Sequence, residues 1–215
     1  MNPTRALIFA NGVLPDDAAA LRLVQPGDLL IAADGGAAHI KRLGLKPHLL
    51  VGDLDSLSPD DVEALAASGT DVRRFPVEKN ETDLELAIRA AHNMGCREMV
   101  VVAGMGGRMD QSLANLYLLL QPMLASLAVR MDDGCLEAMW IRHRVVLHGR
   151  AGDTVSLLPM LGQVEGIVTQ HLRYPLHGET LYPEKSRGIS NEMSGDEAVV
   201  AVGRGVLLCL HERKP

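Results

Sequence analysis

Aromatic side chains are scarce in this 215-residue chain: one Trp, two Phe and three Tyr make up 3% of it. Ring stacking on a ligand is therefore thinly supplied. Basic residues are also few, 21 Lys and Arg against 27 Asp and Glu, for a net charge of −6. No basic patch stands out to neutralise a phosphate backbone, which argues against a nucleic-acid partner. The three cysteines, Cys96, Cys135 and Cys209, are odd in number, far apart and without a C-x-x-C spacing. Neither a disulfide framework nor a zinc site follows from them; they read as small buried residues in a reducing compartment. No apolar run reaches membrane-spanning length. The stretch Ala6-Leu7-Ile8-Phe9-Ala10 is too short for a secretory leader and lacks its charged-then-apolar layout. A cytoplasmic protein with no membrane partner is the expectation. The eight histidines show no metal-ligand spacing, and no Ser/His/Asp or Cys/His arrangement can be argued. Repeats and low-complexity segments are absent too.

What is present is an ordinary globular composition, 47% hydrophobic and 22% charged, in two halves of different character. Ala6 to Ala10, Leu29 to Ala33, Leu49 to Val51 and Met99 to Ala103 are short apolar runs that suit strands buried on both faces, and Val72 to Phe75 is a weaker one. Helical spacing separates them. Asp16 to Val24 places Ala20, Leu21 and Val24 on one face. A helix after Asp34-Gly35-Gly36-Ala37 closes at Gly44. Ser58 caps a helix that begins at Pro59. Thr82-Asp83-Leu84-Glu85 reads as a capping box that opens a helix to about Met94. A last helix follows Gly104-Met105-Gly106-Gly107 and runs through Leu120. Alternating strand and helix predict an α/β domain, three-layered around a mostly parallel sheet. Beyond about Val129 the apolar runs are short, as in Arg144 to Leu147, Thr154 to Leu158, Gly166 to Thr169, Ala198 to Val202 and Val206 to Leu210, and Gly, Pro and Asp space them. That pattern predicts an all-β sandwich or barrel. The expected domains are 1–132 and 133–215.

In parallel sheets ligands bind beyond the carboxyl ends of the strands, and the informative residues fall there. Gly52-Asp53-Leu54-Asp55-Ser56 ends the third strand with two carboxylates. Held close, such a pair repels by about 1 to 3 kcal/mol at roughly 6 Å. A cation explains the pair, and oxygen ligands suit Mg²⁺; the alternative is a loop leading into a helix cap. Gly104 to Asp110 lies between a strand and a helix, where glycine N–H groups and the helix terminus favour an anion. It is neither a P-loop nor a dinucleotide fingerprint, since no Gly-Lys-Ser/Thr follows and Met109 replaces the third glycine. Arg108 is placed to clamp phosphate oxygens, or else to pair with Asp110 on the surface. Asp83 and Thr82 have helix-terminal explanations as well, and Lys79 either is solvated or faces phosphate. Asp34 and its two glycines form a turn after a strand. Ser190-Asn191-Glu192 is a polar turn with no role that composition assigns.

Together these motifs resemble those of the thiamine pyrophosphokinase family: Asp34-Gly35-Gly36-Ala37, Gly52-Asp53-Leu54-Asp55-Ser56, Lys79 to Ala87, and Gly104-x-Gly106-Gly107-Arg108-x-Asp110 with Asn115. Leu172-Arg173-Tyr174-Pro175-Leu176 and Gly188-Ile189-Ser190-Asn191-Glu192 extend the resemblance into the β half. It implies an α/β nucleotide domain followed by a β-sandwich, and transfer of pyrophosphate from ATP to thiamine, giving thiamine diphosphate and AMP. It implies Mg²⁺ held by Asp53, Asp55 and Asp83, and charge stabilisation by Arg108 and Lys79. Asp34, Gly35, Gly36, Thr82, Gly107, Asp110 and Gln111 would position ATP or the nucleophile; Tyr174, Ser190 and Asn191 would line a thiamine pocket. A homodimer with the site between subunits is also implied. Family members often have histidine where Gln111 stands, and some have tryptophan at Tyr174. Three alternatives are another hydroxylated acceptor, a non-enzymatic binding member of the family, and a phosphatase of the haloacid dehalogenase type. In this sequence Gly52 breaks the strand that last fold would need, and the Asp-x-Asp falls mid-chain.

Overall fold

The computed structural model describes residues 4–214, and the chain divides into two compact units between Gly134 and Cys135. In the first, strands β1 (Arg5–Phe9), β2 (Leu29–Ala33), β3 (Leu49–Gly52), β4 (Asp71–Arg74), β5 (Glu98–Val102) and β6 (Ala128–Asp132) lie in the order β6-β5-β1-β2-β3-β4. Every neighbouring pair is parallel. The helices are α1 (Asp17–Leu21), α2 (Gly36–Arg42), α3 (Pro59–Ala67), α4 (Asp83–Asn93) and α5 (Met109–Leu118). The continuous apolar runs become wholly buried strands, β1, β2 and β3 throughout. Leu7, Phe9, Leu30, Ala32 and Leu50 share one core cluster with Ala37 and Ile40 of α2 and Ala20 of α1. Helix α4 packs across β1, β2 and β3 with Leu84, Ala87, Ile88 and Ala91 buried. This is the expected α/β sandwich of three layers.

Several boundaries differ from the sequence expectation. Helix α1 is only five residues, because Leu23 N and Val24 N bond back three residues, to Ala20 O and Leu21 O, as the chain tightens ahead of Pro26-Gly27. The capping box of α4 is half made: Thr82 Oγ1 accepts from Glu85 N, while the Glu85 carboxylate is taken by Arg89. Strand β4 is an exposed edge rich in charge, not a doubly buried strand. Strand β6, which no apolar run announces, pairs with β5 and so belongs to the first unit.

The second unit is all β. Strands β7 (Leu136–Ile141), β8 (Arg144–His148), β9 (Thr154–Leu158), β10 (Val164–Gln170), β11 (His177–Leu181), β12 (Asn191–Glu192), β13 (Glu197–Ala201) and β14 (Leu207–Glu212) form two antiparallel sheets. Within this unit their orders are β12-β9-β14-β7 and β11-β10-β13-β8. Period-two burial, as in β9 and β10, sends Val155, Leu157, Val164, Ile167, Leu147, Val200 and Leu207 into one core. It is a β-sandwich. No helix among the described residues is long and apolar enough to cross a membrane.

Candidate active site

The carboxyl ends of β1, β2, β3 and β5 converge, and backbone strain concentrates there. Asp34, Leu54 and Ala103 hold φ values of +44°, +67° and +53°, a region that costs non-glycine residues about 1 to 3 kcal/mol and marks functional sites. Gly52, with φ +153°, ends β3 between two of the acids: a Cβ on it would stand 3.0 Å from the Cβ of Asp34 and 3.2 Å from the Cγ of Asp83. Only a residue without a side chain lets those carboxylates close on Asp53. Asp34 is itself positioned by its N–H, which donates to Val51 O at 2.8 Å, and Asp83 by the first turn of α4.

The result is a group of three carboxylates, Asp34, Asp53 and Asp83, with ligand oxygens within 4.8 Å of one another. Asp34 is 92% buried and its Oδ1 has no hydrogen-bond partner among the described residues. An orphaned buried oxygen beside two further carboxylates, in a cradle that a Cβ would fill, fits a hard divalent cation. Asp55 is exposed, lies outside this group and accepts from Ser56 Oγ at 3.3 Å.

Lys79 enters the same cluster. Its ammonium donates to Asp53 Oδ2 at 3.0 Å and lies 3.0 Å from Asp83 Oδ1, an ion pair without hydrogen-bond geometry at that oxygen. The hydrogen bond from Lys79 holds the Asp53 carboxyl below the usual carboxylate range. Burial pushes Asp83 up, with help from the Asp53 and Asp34 charges, and outweighs the pairing with Lys79. For Lys79 burial opposes the charge, but the two aspartates prevail and hold the ammonium above its ordinary value.

Beside the acids lies a cavity of about 290 Å³, lined by Asn11, Gly12, Asp34, Ser56, Thr82, Asp83, Gly104, Gly106, Gln111, Ser112 and Asn115. The glycine loop is held down by α5: Asn115 Nδ2 donates to Gly104 O at 2.8 Å, and Gly106 N donates to Ser112 Oγ at 3.1 Å. Arg108 pairs with Asp110 at 2.5 Å, both about two-thirds exposed. Gly107 has φ +71° and open space where a Cβ would be. Gly35 and Gly36 permit close approach: a Cβ on Gly36 would fall 1.9 Å from Phe9 O, and one on Gly35 would strike the side chain of Asn11.

Sequence reasoning passed over Asn11, Ser112 and His39. His39 Nε2 donates to Gly12 O at 3.0 Å, while burial lowers its pKa below the usual imidazole value, so a neutral ring pins the Asn11-Gly12 turn to α2. The available signal was positional, since Asn11-Gly12 follows β1 as Asp34-Gly35 follows β2.

In the second unit the structure brings Tyr174, Ser190 and Asn191 together. Asn191 is 4% exposed and clips the loop, with Oδ1 accepting from Tyr174 N at 2.9 Å and Nδ2 donating to Tyr174 O at 2.7 Å. Arg173 covers the exposed Tyr174 ring at 5.4 Å and pairs with Glu192 at 3.1 Å. Ser190, φ +54°, is exposed, and its N–H donates to Ser156 Oγ at 3.1 Å.

Comparison with known proteins adds to this geometry. The family model described as thiamin pyrophosphokinase, catalytic domain, matches residues 20–131, and that described as thiamin pyrophosphokinase, vitamin B1 binding domain, matches residues 142–207. The thiamine pyrophosphokinase of Bacillus subtilis is 21% identical over 184 residues, 85% of this chain and 86% of its own. A crystal structure of the Bacillus subtilis protein superposes with a TM-score of 0.86 at 22% identity, over 98% of this chain and 100% of that one. The thiamin pyrophosphokinase of Candida albicans gives 0.78 at 16% identity, covering 98% and 89%. At these identities the structural likeness speaks for the fold.

Proposed function

Because the chain belongs to the thiamin pyrophosphokinase family, we propose that it transfers pyrophosphate from ATP to the hydroxyl of thiamine, giving thiamine diphosphate and AMP. The observation that carries the reading is the set of three carboxylates within 4.8 Å of one another, two of which, Asp34 and Asp83, line a cavity of about 290 Å³. The hydroxyl oxygen attacks the β-phosphorus and a new P–O bond forms. The bond from that phosphorus to the bridging oxygen of AMP breaks, AMP leaves with the electron pair, and the hydroxyl proton passes to solvent.

Asp34, Asp53 and Asp83 are the proposed holders of Mg²⁺; Asp55, which the family resemblance adds, is exposed outside that group and would have to turn inward to join them. When bound there the ion supplies charge neutralisation for the phosphate oxygens. The chain's own residues do the remainder by positioning. Lys79 and Arg108 supply positive charge to the triphosphate. Thr82, Gly107, Gln111, Asp110 and the Gly35-Gly36 turn orient ATP, with Asn11 and Ser112 as additions from the cavity wall. In this reading domain 1–132 binds ATP and domain 133–215 binds thiamine, through Tyr174, Ser190 and Asn191.

A homodimer with each site shared between subunits belongs to the same proposal. Met109, Leu113 and Tyr117 support it: they are 72%, 40% and 44% exposed, at i, i+4 and i+8 along α5, an apolar stripe on the helix that carries Gln111. A cytoplasmic location accords with the three cysteines, which form no disulfide among the described residues. The test is a mass-resolved assay with ATP, Mg²⁺ and thiamine. Equal amounts of thiamine diphosphate and AMP are expected. AMP formed only with another hydroxylated acceptor would move the substrate, and neither product would overturn the reading.

A further inference from the structure

Lys79 stands where a cation would. Its ammonium touches Asp53 Oδ2 and Asp83 Oδ1, both at 3.0 Å, and donates to Pro76 O at 3.1 Å, with the side chain only 11% exposed. Asp53 and Asp83 are also two of the three carboxylates whose oxygens lie within 4.8 Å of one another. An ammonium and a divalent ion cannot both take those oxygens: each needs them as first neighbours, and two positive charges so close repel in a site only partly open to water. The lysine covers only part of the need, because Asp34, the third carboxylate, keeps a buried Oδ1 with no hydrogen bond among the described residues.

The two partners differ in stiffness. Asp53 follows β3 directly, and Asp83 is the first residue of α4, so both carboxylates ride on sheet and helix. Lys79 lies between β4 and α4, where no helix or strand is formed, on a long flexible stem. The element able to yield is the lysine.

We propose that Lys79 is an exchangeable internal counterion: it closes over Asp53 and Asp83 when no divalent cation is bound, and the arriving cation displaces it onto the phosphate oxygens of the nucleotide. This rests on the metal site proposed above and adds a consequence that site alone does not have. Without a phosphate to receive the displaced ammonium, the cation must win against a part-buried ion pair with nothing offered in exchange, so it binds weakly. With the phosphate present, the ammonium exchanges one set of anionic oxygens for another. Cation and nucleotide thus strengthen each other's binding, a coupling that is reciprocal by necessity.

The experiment is a calorimetric titration of Mn²⁺, without nucleotide, into the wild-type protein, Lys79→Met and Lys79→Arg. Lys79→Met is expected to bind Mn²⁺ on the order of tenfold tighter than wild type, and to lose most of the gain in Mn²⁺ affinity that a non-hydrolysable ATP analogue gives the wild type. Lys79→Arg, which keeps the charge, is expected to bind Mn²⁺ within about threefold of wild type and shows that substitution here is tolerated. Equal or weaker Mn²⁺ binding by Lys79→Met would overturn the exchange. Adding Asp53→Asn to Lys79→Met separates the two ideas: if Mn²⁺ affinity then stays the same, the carboxylate cluster is not the metal site and the underlying reading fails instead.

Discussion

Asn191 encircles the backbone of Tyr174, accepting from its N–H at 2.9 Å and donating to its carbonyl at 2.7 Å. The same Oδ1 also accepts from Glu192 N at 2.9 Å. The amide is therefore spent on backbone, and its effect on a ligand passes through the placing of Tyr174 and Ser190. Asn191→Ala removes three hydrogen bonds at a buried position, an expected loss of about 2 to 3 kcal/mol. Scanning calorimetry should show a thermal midpoint lower by roughly 5 to 10 °C. In steady-state kinetics KM for thiamine should rise while KM for ATP stays unchanged; the reverse would misplace the pocket.

Gly52 offers a sharper test of the carboxylate cluster. Gly52→Ala places a methyl group 3.0 Å from the Cβ of Asp34 and 3.2 Å from the Cγ of Asp83, at a φ of +153° that L side chains rarely adopt. The strain should cost about 1 to 3 kcal/mol, and the acids must spread. The expected outcome is a folded protein whose activity needs far more Mg²⁺ to reach half-maximum. An unchanged Mg²⁺ requirement would mean that the spacing of Asp34 and Asp83 does not matter to the ion.

Geometry moves Asp34 from a place beside ATP to the carboxylate group, and the test of that is Asp34→Asn. With Oδ1 buried and unpartnered, a neutral amide there removes one charge from the cluster without changing its size. Turnover at limiting Mg²⁺ should fall on the order of a hundredfold, with the thermal midpoint nearly unchanged. Asp55→Asn, at the exposed carboxylate outside the group of three, makes the comparison. A larger loss there than at Asp34 would show that Asp55 turns inward in the working enzyme.

Much of this was legible in the chain. β1, β2, β3 and β5 announce themselves because a strand buried on both faces must be apolar throughout, and their carboxyl ends mark the site. β6, β7 and β11 were not legible. Arg130 and Asp132 interrupt β6, Glu137 sits inside β7, and most of β11 is exposed, so none has the plain pattern that reading depends on. The grouping of Asp34 with Asp53 and Asp83, and the lodging of Lys79 among them, depend on the close approach at Gly52. Local spacing records the glycine but not what passes beside it.

The buried imidazole of His211 was equally hidden, since its partners are 58 and 74 residues away. It is fully buried in the β-sandwich, with Nε2 3.3 Å from Asp153 Oδ2 and Nδ1 3.4 Å from Glu137 Oε2. Asp153, 1% exposed, also accepts from Arg150 N and Lys214 N, each at 3.0 Å. Burial works against the Asp153 charge, but those N–H groups and His211 outweigh it and hold the carboxyl below its ordinary value. A folded pKa below the unfolded one means that the stabilisation is fully present above the unfolded value, near pH 4, and is lost as pH falls through the lowered folded value. Asp153→Asn should therefore destabilise the protein at pH 7 by about 1 to 3 kcal/mol, as the loss of hydrogen bonds at a buried position does. The gap between variant and wild type should begin to narrow below roughly pH 4, where Asp153 of the unfolded chain takes up its proton, and go on narrowing toward the lowered folded value. Urea unfolding of both proteins between pH 7 and 3 measures this directly. A constant gap across that range would show that the Asp153 charge contributes nothing to the fold beyond the shape of its side chain.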